Sequence, residues 1–198
     1  MLRIGIDFDG TIADTNALKS EWITANLGKR IPSYLCDRTS AVPLIGQEDY
    51  DRMRRHVYSA EEADRLMPID GVMTAMGEMT VYSELFLVTA RRKLDIVRHW
   101  LEKWGLLQYI QVTDPPANHL TKLGLCSQLG ITLLIDDDAR HLAVLPGYGS
   151  VYAILFKPGA PISYDARGLS ICRSWSAVVE IASALNQPPS DAGVVTKN

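Results

Sequence analysis

Cysteine is scarce and scattered in this sequence. Cys36, Cys126 and Cys172 are odd in number and far apart, which excludes a disulfide framework and metal-type cysteine spacing and fits reduced thiols in a cytoplasm. An excess of one charge is also lacking: 20 basic against 23 acidic side chains leave a formal net charge of −3. A nucleic acid polymer or a membrane surface therefore has no broad basic face to meet. No apolar run approaches the roughly 20 residues that span a bilayer, and the opening Met1-Leu2-Arg3-Ile4-Gly5-Ile6 reaches Asp7 too early for a signal peptide. The expectation is a cytoplasmic protein that engages neither membrane nor nucleic acid polymer. Internal repeats and low-complexity tracts are absent too. What remains is an ordinary globular composition, 47% hydrophobic and 22% charged over 198 residues. That length suffices for one domain with a real core, or one domain carrying a small insertion.

Short apolar runs recur, each ending in polar residues. Leu2 to Phe8 ends in Asp7-Phe8-Asp9-Gly10-Thr11, Leu85 to Val88 in Thr89-Ala90-Arg91, Ile110 to Val112 in Thr113-Asp114-Pro115, and Thr132 to Ile135 in Asp136-Asp137-Asp138. Each reads as a buried strand, with a further one over Val151 to Phe156. Between them Arg92 to Trp104 has helical period, with Leu94, Val97, Trp100 or Leu101, and Trp104 on one face before Gly105. Val72, Met73, Met76 and Met79 read as helical core, and a closing helix is expected near Trp175 to Leu185. Alternating strands and helices imply an α/β fold with a Rossmann-like parallel sheet, whose ligands bind beyond the carboxyl ends of the strands. The four polar clusters then converge on one crevice. Residues 13–68 contain helical segments, including a capping box at Ser59 and Glu62, but no convincing strand. They read as a small helical cap inserted after the first strand, leaving residues 1–12 and 69–187 as the catalytic core and 188–198 as a flexible tail.

Asp7 and Asp9 flank a single residue, and close carboxylates repel unless a cation or a shared proton compensates. A hard cation such as Mg2+ suits oxygen ligands and needs only one or two protein carboxylates, with substrate phosphate and water completing its shell. Asp136, Asp137 and Asp138 bring further carboxylate from across the crevice; the plainer reading is that these acids cap a helix. Phosphoryl transfer also needs donors for the equatorial oxygens. Thr89 offers a hydroxyl and Lys122 a full positive charge.

Asp7-Phe8-Asp9-Gly10-Thr11, then Thr89, then Lys122 and then Ile135-Asp136-Asp137 resemble the four ordered motifs of the haloacid dehalogenase superfamily. The resemblance runs from Leu2 to about Leu142. It implies a Mg2+-dependent phosphatase in which Asp7 attacks phosphorus, forming an aspartyl phosphate, while Asp9 protonates the leaving oxygen and then activates water. It makes Thr89 and Lys122 the phosphate-stabilising pair and places Gly10, Thr11, Ala90 and Arg91 against phosphate or substrate. Arg91 either clamps the substrate or begins the helix. The implied metal ligands are Asp7, the backbone carbonyl of Asp9 and an acid of the last motif, Asp137 before Asp136. Within the superfamily, Leu87-Val88-Thr89-Ala90-Arg91 with Leu134-Ile135-Asp136-Asp137 is similar to the 5'-nucleotidase type C, or 5'(3')-deoxyribonucleotidase, group. Gly10-Thr11 departs from that group's more frequent Gly-Val.

The substrate is therefore expected to be a small phosphorylated metabolite, a nucleoside monophosphate first, with a sugar or other small phosphate as the alternative. Trp22, Tyr34, Tyr50 and Tyr58 can stack on a base, and Arg52, Arg54, Arg55 and His56 can meet an anion, or these side chains form the core and the solvated face of the cap. His99, His119 and His141 show no paired metal spacing and read as structural or exposed. A dehalogenase would lack the carboxylate of Asp9. A phosphomutase would share every motif, and a Mg2+-binding regulatory protein without turnover is the reading from another functional class.

Overall fold

The computed structural model describes residues 1–91, 93–113, 122–142, 151–166 and 168–187. Strands β1 (Leu2–Ile6), β2 (Ser83–Leu87), β3 (Ile110–Gln111), β4 (Leu133–Asp136), β5 (Tyr152–Phe156) and β6 (Ser170–Cys172) form one sheet in the order β3-β2-β1-β4-β5-β6. Every neighbouring pair is parallel. A parallel strand with helices on both faces must be apolar on both, and Ile4, Gly5 and Ile6 supply that in the centre. Ile4 is paired with Leu85 on one side and Leu133 on the other. The Asp7 N–H still donates to the Ile135 carbonyl at 2.9 Å, so the chain turns polar just as it leaves the sheet. Because it passes from β1 to β2 on one side and to β4 on the other, the crevice opens beyond the ends of β1, β2 and β4.

Between β1 and the sheet's next layer lie α1 (Thr15–Leu27), a 3-10 turn at Ser33–Leu35, α2 (Arg38–Ile45), α3 (Gln47–Val57) and the one-turn α4 (Ala60–Ala63). The starts of α1, α2 and α4 are set by side-chain caps: Asp14, Asp37 and Ser59 accept from the N–H groups of Ala17, Ser40 and Glu62. Entry and exit are pinned together. Asp14 N–H donates to Met67 O at 2.8 Å and Ile69 N–H to Ile12 O at 2.9 Å. The remaining helices are α5 (Val72–Met79), α6 (Leu94–Lys103), α7 (Lys122–Gln128), α8 (Ala139–Leu142) and α9 (Trp175–Asn186).

One apolar cluster runs from Ile4, Ile6 and Phe8 through Trp100 and Trp175 into Trp22, Ile23 and Met53 of the inserted helices. Phe8 meets Trp100 edge to face at 5.1 Å. On the other face of the sheet Phe86, Leu125, Leu134 and Leu155 pack together.

Some expectations need correction. Met73 is 46% exposed while Val72, Met76 and Met79 are buried, because one step along a helix turns a side chain by 100° out of the core-facing stripe. Trp104 is only partly buried. β6 has no expected counterpart: three residues at a sheet edge are too few for a period to show. Asp114, Pro115, His119 and the tail 188–198 lie outside the described residues. Among the described residues no helix is long and apolar enough to cross a membrane.

Candidate active site

A cleft of about 360 Å³ lies at the carboxyl ends of the central strands, lined on one side by Asp7, Asp9, Ala90, Arg91 and Lys122 and on the other by residues of the inserted helices. Asp7 follows β1 and is buried; its Oδ1 is 2.8 Å from Lys122 Nζ. The same ammonium lies 2.6 Å from Asp136 Oδ2 at the end of β4, so one cation joins two strand ends. Burial and the charges of Asp136 and Asp137 push the Asp7 carboxyl up to about 7 against the pull of Lys122. For Lys122 the two acids outweigh burial and raise its pKa.

Asp9 meets a different environment. Arg91 donates to it through two nitrogens, Nε to Oδ2 at 2.9 Å and Nη2 to Oδ1 at 2.7 Å, and Thr15 Oγ1 donates at 2.7 Å. Burial opposes ionisation, but Arg91, Lys19 and Thr15 together hold this carboxyl below its ordinary value. Arg91 itself is fixed between rings, its guanidinium carbon 5.1 Å from the centre of Phe8 and 4.5 Å from that of Tyr58.

The three consecutive aspartates diverge. Asp136 is filled: Lys122, His141 Nδ1 at 3.0 Å and the Asp138 N–H at 2.9 Å all reach it. Asp137 accepts from Asn16 Nδ2 at 2.7 Å, and Lys19 Nζ donates to Asn16 Oδ1 at 2.8 Å. Burial leads, with the charge of Asp136 added, in raising Asp137 to about 6, although Lys19 pulls it down. Asp138 accepts from Thr39 and Arg140, which overcome burial and hold it well below the carboxylate range. Gly10 permits this packing: its φ is +74°, and a Cβ there would sit 2.3 Å from both Asn16 Nδ2 and Asp137 Oδ2.

A predicted phosphatase from Clostridium acetobutylicum has the same fold with a TM-score of 0.63, at 15% identity over 92% of this chain and 98% of its own. A haloacid dehalogenase family hydrolase from Deinococcus radiodurans, solved with bound phosphate and sodium, gives 0.54 at 16% identity over 95% and 98%. The chain has the haloacid dehalogenase-like fold. Protein tyrosine kinase A from Mycobacterium tuberculosis gives 0.63 at 15% identity over 91% and 97%, so this fold alone does not fix an activity. No family model and no curated protein matches the chain.

Within the haloacid dehalogenase-like fold, Asp7, Asp9, Ala90, Arg91, Lys122 and Asp137 all reach the cleft. Thr89 follows β2, and its Oγ1 accepts from the Arg91 N–H at 3.2 Å. Gly10 lies beneath Asp137 rather than in the open cleft. Thr11 is fully buried and does not line the cleft. Of the expected aromatics Tyr50 and Tyr58 line the cleft, and of the basic cluster only Arg54 does. Trp22 is buried under Arg52, which also pairs with Asp49, and His56 pairs with Glu62. Tyr34 packs on Tyr164 instead.

His141 was read as structural or exposed, yet its ring lies on Asp136 at the cleft. Thr15, Asn16 and Lys19 of α1 also belong to the site without having been expected. The signal was available: Asn16 and Lys19 are polar residues one turn apart on a helix that buries Leu18, Trp22 and Ile23, and a buried polar pair needs partners.

The oxygen donors at the cleft suit a hard divalent cation: Asp7 and Asp137 both line it, buried, with carboxyls raised first by that burial and then by the neighbouring charge of Asp136, which an added cation would relieve. Asp7, Asp136 and His141 also bring ligand atoms within 4.8 Å of one another, but this group includes a ring nitrogen, and Asp136 is already held by Lys122.

Proposed function

We propose that the chain is a Mg2+-dependent phosphomonoesterase in which Asp7 is the nucleophile, a hypothesis carried by the Asp7–Lys122–Asp136 arrangement at the floor of a cleft that also holds Asp9. Asp7, the backbone carbonyl of Asp9 and Asp137 are the ligands we assign to the cation. Asp136 already has its oxygens occupied, whereas among the described residues Asp137 accepts from Asn16 alone and lines the cleft. When bound, the cation supplies positive charge to the phosphate oxygens and to the crowded carboxylates.

An Asp7 Oδ attacks phosphorus as the bond to the leaving oxygen breaks, and an aspartyl phosphate forms. Lys122, held by two acids, offers charge to the equatorial oxygens, and Thr89, at the end of β2, is assigned as their hydroxyl donor. Asp9 has two duties. Arg91, Lys19 and Thr15 keep it ionised and so able to accept a proton in the second, from the water that hydrolyses the aspartyl phosphate, although the lowered pKa makes it a weaker base. Its first, giving a proton to the leaving oxygen, requires Arg91 to let go of it, and a phosphate or substrate anion in the cleft provides another partner for that guanidinium.

The inserted residues 13–68 serve as the cap in this reading. A small phosphorylated metabolite fits the cleft, with a nucleoside monophosphate as the leading class because Tyr50 and Tyr58 present rings to it. A sugar phosphate is the alternative. The test is phosphate release from a panel of nucleoside and sugar phosphates, with and without Mg2+, by wild type and Asp7→Asn. Cation-dependent release that the variant lowers by about a thousandfold or more is expected; undiminished release would sink the aspartyl-phosphate mechanism.

A further inference from the structure

Helix α3 carries Tyr50 and Arg54 four residues apart, and Tyr58 follows after four more, so the three stand on one stripe. All three line the cleft, with Arg54 exposed between a buried and a half-buried phenol. Lys93 lines the cleft as well, from the residue that precedes α6. The cations deeper in the cleft are committed: Lys122 to Asp7 and Asp136, Arg91 to Asp9, Arg140 to Asp138, and Lys19 through Asn16 to Asp137. Arg38 stacks over Tyr50 and donates to Gln47 at 2.7 Å. Arg54 and Lys93 have no carboxylate partner among the described residues. They form a surplus of positive charge at the mouth, which a phosphate bound at Asp7 would leave unused.

We propose that the substrate carries a second anionic group, a carboxylate or another phosphate, held by Arg54 and Lys93 while its first phosphate lies at Asp7. This rests on the phosphomonoesterase reading for the first phosphate and adds to it the chemistry of the other end of the molecule, which narrows the substrate from a plain nucleoside monophosphate to one that carries a further anion. The guanidinium of Arg54 offers paired donors to a planar carboxylate or to phosphate oxygens. Lys93 adds a point charge, and Tyr50 and Tyr58 flank the group with phenols.

The test uses matched pairs differing by one anion: phenyl phosphate against 4-carboxyphenyl phosphate, and a nucleoside 5'-monophosphate against its 3',5'-bisphosphate. For each pair kcat/KM is compared in wild type, Arg54→Met and Arg55→Met, the last an exposed position on the same helix that does not line the cleft. The expected result is a preference of about tenfold or more for the member with the extra anion. That ratio should collapse towards one in Arg54→Met and persist in Arg55→Met. The two pairs separate a carboxylate from a phosphate as the group recognised. A wild-type ratio near one in both pairs, or a ratio that Arg54→Met does not move, overturns the proposal. If wild type turns over neither member, the phosphatase reading falls, and calorimetric binding of the same pairs decides this one. Tighter binding of the extra-anion member that Arg54→Met abolishes upholds it, and equal binding overturns it.

Discussion

Arg91 and Gly10 show how far single residues govern this site. Arg91 reaches Asp9 with two donors and keeps it ionised, so Arg91→Met should raise the Asp9 pKa. In the proposed mechanism Asp9 is the base for hydrolysis of the aspartyl phosphate, so the acid limb of that step's pH–rate profile is then expected to move to higher pH. Arg91→Lys keeps the charge but not the two-point hold, and should give an intermediate shift. A profile identical to wild type in both variants would separate Arg91 from Asp9's chemistry. Gly10→Ala forces a side chain into a left-handed backbone and into the Asn16–Asp137 contact. A loss of about 1–3 kcal/mol in urea unfolding is expected, together with reduced activity. Asp7, Asp9 and Lys122 are legible in the sequence because each sits at a fixed place after a strand or at a helix start. Arg54 could be listed from sequence as one of four basic residues, but which of them turned to the cleft depended on a helix phase that only neighbouring contacts fix.

The inserted helices are fastened to the core through acids that line the cleft. Thr15 holds Asp9, Asn16 holds Asp137 and Thr39 holds Asp138, while buried Lys157, just beyond β5, pairs with buried Asp37 at the cap of α2. Lys157→Met would leave Asp37 buried and unmatched, and a loss of about 3–5 kcal/mol is expected. Adding Asp37→Asn, which keeps an oxygen for the Ser40 N–H, should restore a large part of it. Chemical denaturation of the two variants checks this; equal losses in single and double variants would mean the charge pair is not what matters. Most elements could be read from their period, as with α6 and α9, within two residues at either end. Those that could not be read are short, β6 above all, or, like the polar face of α1, take their meaning from partners some 120 residues away.

Across the molecule the raised groups set how stability follows pH. Asp7, at about 7, and Asp137, at about 6, lie above their unfolded value, so each disfavours the folded state above its folded pKa and is relieved as pH falls. His141, raised by Asp136 against burial, adds stability below its unfolded pKa that is lost as pH climbs. Asp9 and Asp138 are lowered, and what they contribute is lost only at more acid pH than this window. In a chelator the melting temperature should therefore rise as pH falls from 8 towards 5. Added Mg2+ should raise it most at pH 8 and least at pH 5; a cation effect independent of pH would argue against carboxylate ligands. The parallel α/β architecture followed from the spacing of apolar runs, whereas the order of the strands did not, because spacing says nothing about which runs become neighbours. That order has a consequence for the growing chain. Strand β1 precedes its neighbours at residues 83–87 and 133–136 by about 80 and about 130 residues, so during synthesis the segment bearing Asp7 emerges well before either partner. An apolar strand left waiting that long is exposed to wrong pairing, and the site forms only once β4 has emerged to bring Asp136 and Asp137 beside Asp7.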